Sequence, residues 1–155
     1  MIKFDAKFTN IKTGKQVEET HYFNINLAQL TEMIMIDGFT EKQAHIQELI
    51  NKDDKETPEE RAEIWSFFKY VISKSWIEFD ENDEMMLPDD KRTARFLLSD
   101  AYSSVLKFLL VGDNEKVSAN VEYFMSSLFP EDLMREAKAA AGNEISELDR
   151  KVQNL

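Results

Sequence analysis

The residues able to do chemistry are few in kind and poorly spaced for it. Asp80, Asn82 and Glu84 put a side-chain oxygen at every second position, as the opening ligands of a calcium loop do. Such a loop also needs Gly at its sixth position for the sharp turn and a bidentate Glu at its twelfth. Counted from Asp80, those places hold Met85 and Lys91, so a solvated acidic loop is the better reading. His21 and His45 have no partner at zinc-binding spacing, and no His-Glu-x-x-His helix is written. Serine is plentiful without a Gly-x-Ser-x-Gly elbow. With 4 Gly and 0 Cys, no phosphate-cradling loop, thiolate ligand, disulfide or cysteine nucleophile can be built. Thirty acidic residues in 155 make neighbouring carboxylates unavoidable, so their proximity is uninformative. No catalytic residue, cofactor or metal ligand is assigned, and the expectation is a protein that is not an enzyme.

Side chains suited to binding are better represented. Trp65, Tyr70, Trp76 and Phe79 lie on or just past one long helical pattern, and Trp and Tyr dominate contact hot spots. Phe67 and Phe68 fit the core stripe. Trp65 and Tyr70 fall off it, which leaves a partner-facing surface and a second helix layer as equal readings. Met33, Met35, Met85, Met86, Met125 and Met134 are the soft side chains of an adaptable groove. Met33 and Met125 sit on helical stripes and belong to a core, whereas Met85 and Met86 stand inside an acidic stretch, either presented to a partner or folded over the core. In the tail, Ala141, Ile145, Leu148, Val152 and Leu155 follow each other at 4, 3, 4 and 3, a heptad seam. The run is too short for an autonomous coiled coil. It is either a frayed end or a segment that docks on a partner or a neighbouring copy, through Ile145, Leu148 and Val152.

These groups must be held by elements, and the pattern supplies them. Ile2, Phe4, Ala6 and Phe8 alternate with Lys3, Asp5, Lys7 and Thr9, the period of a half-buried strand. Thr13-Gly14-Lys15 turns the chain, and Val17 to Ile25 returns as a second strand. Asn26 with Gln29 forms a capping box for a first helix that Gly38 stops. Thr40 with Gln43 opens a second helix in the same way. Thr57-Pro58-Glu59-Glu60 starts the central helix, carried by Ile64, Phe67, Phe68, Val71, Ile72 and Ser75. Glu78 to Asp90 has no Lys or Arg and reads as a loop, with a short helix beginning near Pro88. Ser99 and Asn114 cap two further helices, closed by Gly112 and Pro130. After Pro130 a polar helix follows, continuous or broken at Gly142. The fold class expected is mainly α with an N-terminal β-hairpin. It has a multi-helix domain over 1–130 (hairpin 1–25, helical core 26–130) of five to six helices, and a polar helical tail over 131–155.

Composition bounds the function. A 43% hydrophobic content supports a real core in one domain. A net charge of −11 opposes nucleic-acid binding, since phosphates demand clustered Lys and Arg. No apolar run approaches a membrane span. The first residues lack a signal-peptide pattern, and the absence of cysteine suits a cytoplasmic protein.

An ordered set of segments runs from Tyr22 to Pro130. These are Phe23-Asn24-Ile25-Asn26-Leu27-Ala28-Gln29-Leu30-Thr31-Glu32-Met33; Phe67-Phe68-Lys69-Tyr70-Val71-Ile72-Ser73-Lys74-Ser75; Phe96; Ser99-Asp100-Ala101-Tyr102-Ser103-Ser104-Val105; and Phe124-Met125-Ser126-Ser127-Leu128-Phe129-Pro130. In their order and spacing the chain resembles the tail assembly chaperones of long-tailed phages and prophages of Gram-positive bacteria. Trp76-Ile77 stands where the family commonly has Tyr-Gly, and the segment after Pro130 extends past the matching part. The resemblance implies a protein that binds the aggregation-prone tape measure protein, keeps it soluble and helps tail tube protein polymerise around it. It also implies absence from the finished virion, self-association along the client, and work in the cytoplasm of an infected or lysogenic host. Within the family this chain would be the shorter, non-frameshifted form. Two other readings are weighed beside it: a structural tail-completion or connector component, and an acidic inhibitor that mimics DNA. The scattered placement of the acids disfavours the last.

Overall fold

The computed structural model describes residues 1–52 and 54–153, with side chains as far as Gly142. Strand β1 (Ile2–Thr9) pairs antiparallel with β2 (Gln16–Phe23), Ile2 opposite Phe23 and Thr9 opposite Gln16. The turn is made by Asn10, whose Oδ1 accepts from Lys12 N at 2.9 Å and whose carbonyl accepts from Gly14 N at 2.8 Å. Gly14 sits at φ 70, a conformation other residues resist. The second strand stops at Phe23, short of the Ile25 expected. Asn24 instead donates its N–H to the Ser75 carbonyl at 2.8 Å, so the backbone leaves the hairpin for the end of another helix.

Seven helices follow among the described residues. Helix α1 (Leu27–Asp37) opens with the expected Asn26–Gln29 capping box and ends at Gly38, φ 64. Helix α2 (Phe39–Ile50) begins at once from the same Gly38, so Thr40 is inside the helix and does not cap it. The left-handed glycine lets the chain re-enter a helix without a loop. Phe39, fully buried between Phe67 (6.1 Å) and Phe129 (4.8 Å), pins the first turn. Helix α3 (Pro58–Ser75) carries the complete Thr57–Glu60 capping box. Helix α4 (Asp90–Leu97) is capped by Asp89, and α5 (Asp100–Leu110) by Ser99. Helix α6 (Asn114–Leu128) is capped by Asp113 and not by Asn114. The Asp113 carboxylate accepts from Lys116 N at 2.9 Å, a charge-assisted bond at the positive helix end. Helix α7 (Glu131–Gln153) runs through Gly142 without a break.

A short strand, β3 (Trp76–Ile77), was not anticipated. It pairs antiparallel with Tyr22 and Phe23, giving a sheet of order β1-β2-β3. A hairpin alone is marginal in water. Here it is held by β3 and by α5, where Phe108 meets Phe4 edge-on at 5.4 Å and the Ser104 hydroxyl donates to the Lys7 carbonyl at 3.3 Å. The core is aromatic and centred on Phe23, Phe68 and Phe124, with Phe23 and Phe124 rings 5.9 Å apart. Helix α7 lies along α1, and its buried residues there are the small Ala137 and Ala141, one turn apart on one face. The first half of the tail is thus part of the packed body. Among the described residues no helix is long and apolar enough to cross a membrane.

Candidate partner-binding surface

The stretch that imitates a calcium loop is a turn. Asp80 Oδ1 accepts from Asn82 N at 2.8 Å and from Glu84 N at 3.0 Å, while Asp80 N donates to the Glu84 carbonyl at 2.8 Å. Asp83 takes a left-handed φ of 60 to close it. A bridge between Phe79 and Met85, and a bond from Met86 N to the Glu78 carbonyl at 2.8 Å, tie the two arms together. The Asp80 carboxylate is therefore spent on backbone N–H groups.

Beyond this turn the chain runs as Met85-Met86-Leu87-Pro88, and one side chain fixes it. Arg92 donates Nε to Glu78 Oε1 at 3.0 Å and a second guanidinium N–H to the Leu87 carbonyl. Asp89 Oδ1 accepts from Lys91 N at 2.8 Å and Arg92 N at 3.1 Å. Those backbone bonds from Arg92 and Lys91 hold the Asp89 carboxyl below the usual carboxylate range, so it stays ionised as a helix cap. The result is an open groove of about 630 Å³ between this segment, β3, the end of α3 and the start of α1. Trp76, Ile77 and Met86 line it, while Met85 (64% exposed) and Leu87 (83% exposed) stand on the lip.

Trp76 lies just past the central helix, as the first residue of β3. Its ring stacks on Phe96 at 4.5 Å and 6°, and its Nε1–H donates to His21 Nδ1 at 3.2 Å. His21 Nε2 lies 3.5 Å from Glu19 Oε1. The tryptophan thus anchors sheet to α4 with one face and lines the groove with the remainder. Met85 and Met86 stand in the same groove. Leu87 joins them without having been singled out, and its signal is an apolar run inside an acidic stretch. Arg92 carried no local signal, because its role exists only once the chain has folded back.

Tyr70 lies elsewhere. It lines a cavity of about 440 Å³ between α2 and α3, together with the buried Ile46 and Phe67. Its hydroxyl donates to Asp37 Oδ2 at 2.5 Å, joining α3 to the end of α1. Burial first, then this hydrogen bond and the Asp37 charge, push its pKa up. His45 Nε2 and Glu63 Oε2 stand 2.6 Å apart at the same cavity. Trp65 is 40% exposed on α3 and lines neither hollow. Ile145, Leu148 and Val152 are on the distal half of α7, and their side chains, like Leu155, lie outside the described residues. The residues singled out from sequence therefore divide into one shared groove, a separate interhelical cavity, a lone exposed tryptophan and the helix end.

A family model described as phage tail assembly chaperone matches residues 1–154. The match takes in the hairpin before Tyr22 and the helix after Pro130, which the sequence resemblance had left out. No curated protein and no solved structure matches the chain.

Proposed function

The chain belongs to the phage tail assembly chaperone family, and from that premise we propose that it binds the tape measure protein without catalysis. On this reading it keeps its client soluble, assists tail tube protein in polymerising around it, and departs before the virion is complete. The observation that carries the proposal is the family match over nearly the whole chain, 1–154. Two physical features support it. Exposed apolar side chains stand on the lip of an open groove held by a packed scaffold, the arrangement that shields a client's apolar stripe. A net charge of −11 keeps a complex of many copies dispersed. The place of action proposed is the cytoplasm of the infected or lysogenic host, and several copies acting along one client fit its length.

Co-expression with the neighbouring tape measure protein tests this. The expected result is a soluble client that co-purifies with the chain, and purified virions that lack the chain. A client that stays insoluble and never co-purifies overturns the proposal. A fixed copy number in purified virions would establish the structural-component reading in its place.

A further inference from the structure

We infer that the groove between Trp76 and the Met85–Leu87 lip is built for an amphipathic helix whose apolar ridge is flanked by Lys or Arg, a specification that rests on the chaperone reading and sharpens it. The apolar half of the argument is geometric. Met85 and Leu87 are exposed while the chain beneath them is fixed by the Arg92–Leu87 carbonyl bond and the Asp89 cap. An exposed apolar lip on a fixed backbone is preorganised for a partner's apolar ridge, since little ordering entropy is left to lose on binding.

The charged half comes from the rim. Residues 78–90 hold seven carboxylates (Glu78, Asp80, Glu81, Asp83, Glu84, Asp89, Asp90) and no Lys or Arg. Among the described residues two cations border the groove. Arg92 is engaged by Glu78, and the Lys74 ammonium leans over the Tyr70 ring at 6.0 Å. Glu84, beside the lip, and Asp90, on the groove wall, make no ion pair among the described residues. A ridge flanked by acids would meet like charge on both sides. One flanked by Lys or Arg meets complementary charge at the distance a side chain spans. A second copy of this chain, at −11, is disfavoured as the occupant for the same reason.

Calorimetry with two synthetic amphipathic helical peptides, one of leucine and lysine and one of leucine and glutamate, tests the inference on the full chain. The lysine peptide is expected to bind and to weaken as salt rises, and the glutamate peptide to show no heat. The variant M85S/L87S is expected to weaken the lysine peptide about tenfold, as truncating a central apolar anchor does. E84Q/D90N is expected to weaken it about fivefold and to flatten the salt dependence. E48Q/E115Q, of equal charge change on α2 and α6, should leave it unchanged. Equal effects of the groove and remote charge variants would reduce the binding to bulk attraction and overturn the inference, as would unaltered binding by M85S/L87S. A dimer seen by sedimentation without peptide and dissolved by M85S/L87S would assign the groove to a second copy and overturn it too. Should the tape measure protein co-purify equally with wild type and M85S/L87S, the groove assignment fails and the chaperone reading stands. Should the lysine peptide bind the groove while the tape measure protein never co-purifies, the reverse holds.

Discussion

Trp76→Ala separates a scaffold residue from a surface one, and its cost can be worked from the structure. Truncating a fully buried Trp costs about 3–5 kcal/mol. Trp76 is only half-buried, one face against Phe96 and the rest toward the groove, so about half of that applies, or about 2 kcal/mol. Removing the indole also leaves His21 Nδ1 without its donor, which adds about 1 kcal/mol. The total of about 3 kcal/mol lowers Tm by about 6–12 °C for a chain of this size. Trp76→Phe keeps the stack and loses only the N–H, so about 1 kcal/mol is expected. Urea unfolding followed by far-ultraviolet circular dichroism gives both values without relying on the indole signal. In a His21→Ala background the further cost of Trp76→Phe should vanish, since its acceptor is already gone. If Trp76→Ala stays within about 0.5 kcal/mol of wild type, the reasoning is refuted and the tryptophan belongs to the surface alone.

Other elements make their own tests. Gly38→Ala should destabilise by about 1 kcal/mol, because the residue sits at φ 64 between two helices, and Gly142→Ala should stabilise by about 0.5–1 kcal/mol, because it lies mid-helix with open space around it. Chemical denaturation of the pair should therefore give shifts of opposite sign. Ala137→Leu forces a larger side chain into the fully buried site on α7 and should cost about 1–3 kcal/mol, read by the same method. Tyr70 has its folded pKa raised above the unfolded value of about 10, so its contribution is complete below that pH and is lost as pH rises through the folded value. Wild type should lose stability above about pH 10, and Tyr70→Phe should lose less over the same range in a pH series of urea melts.

Much of the fold was legible because helix ends announce themselves locally. The Asn26–Gln29 box, the Thr57 cap, the Ser99 cap and the Gly38 stop all stand where the pattern put them. The failures were also local in kind. Thr40 and Asn114 are acceptable cap residues whose neighbours Gly38 and Asp113 won, the first through left-handed backbone freedom and a buried Phe39, the second through a full charge. The α3 stripe ends at Ser75 as expected, but what Trp76 does next is set by a sheet partner at Phe23 that draws it into β3. Local periodicity has no access to that partner.

Residue order by itself determined the helices, the hairpin ahead of them, the acidity and the family, since each is written in neighbouring side chains or in their ordered spacing, whereas β3 was not. The tertiary structure alone decided the groove. Trp76, Met86 and Arg92 come from β3, a tight turn and α4, and Asn26 and Gln29 from a helix start far earlier in the chain. They share one hollow because the hairpin recruits β3 and Arg92 ties the turn to α4. Such closures depend on long-range burial and on bonds between distant residues, which no local spacing encodes.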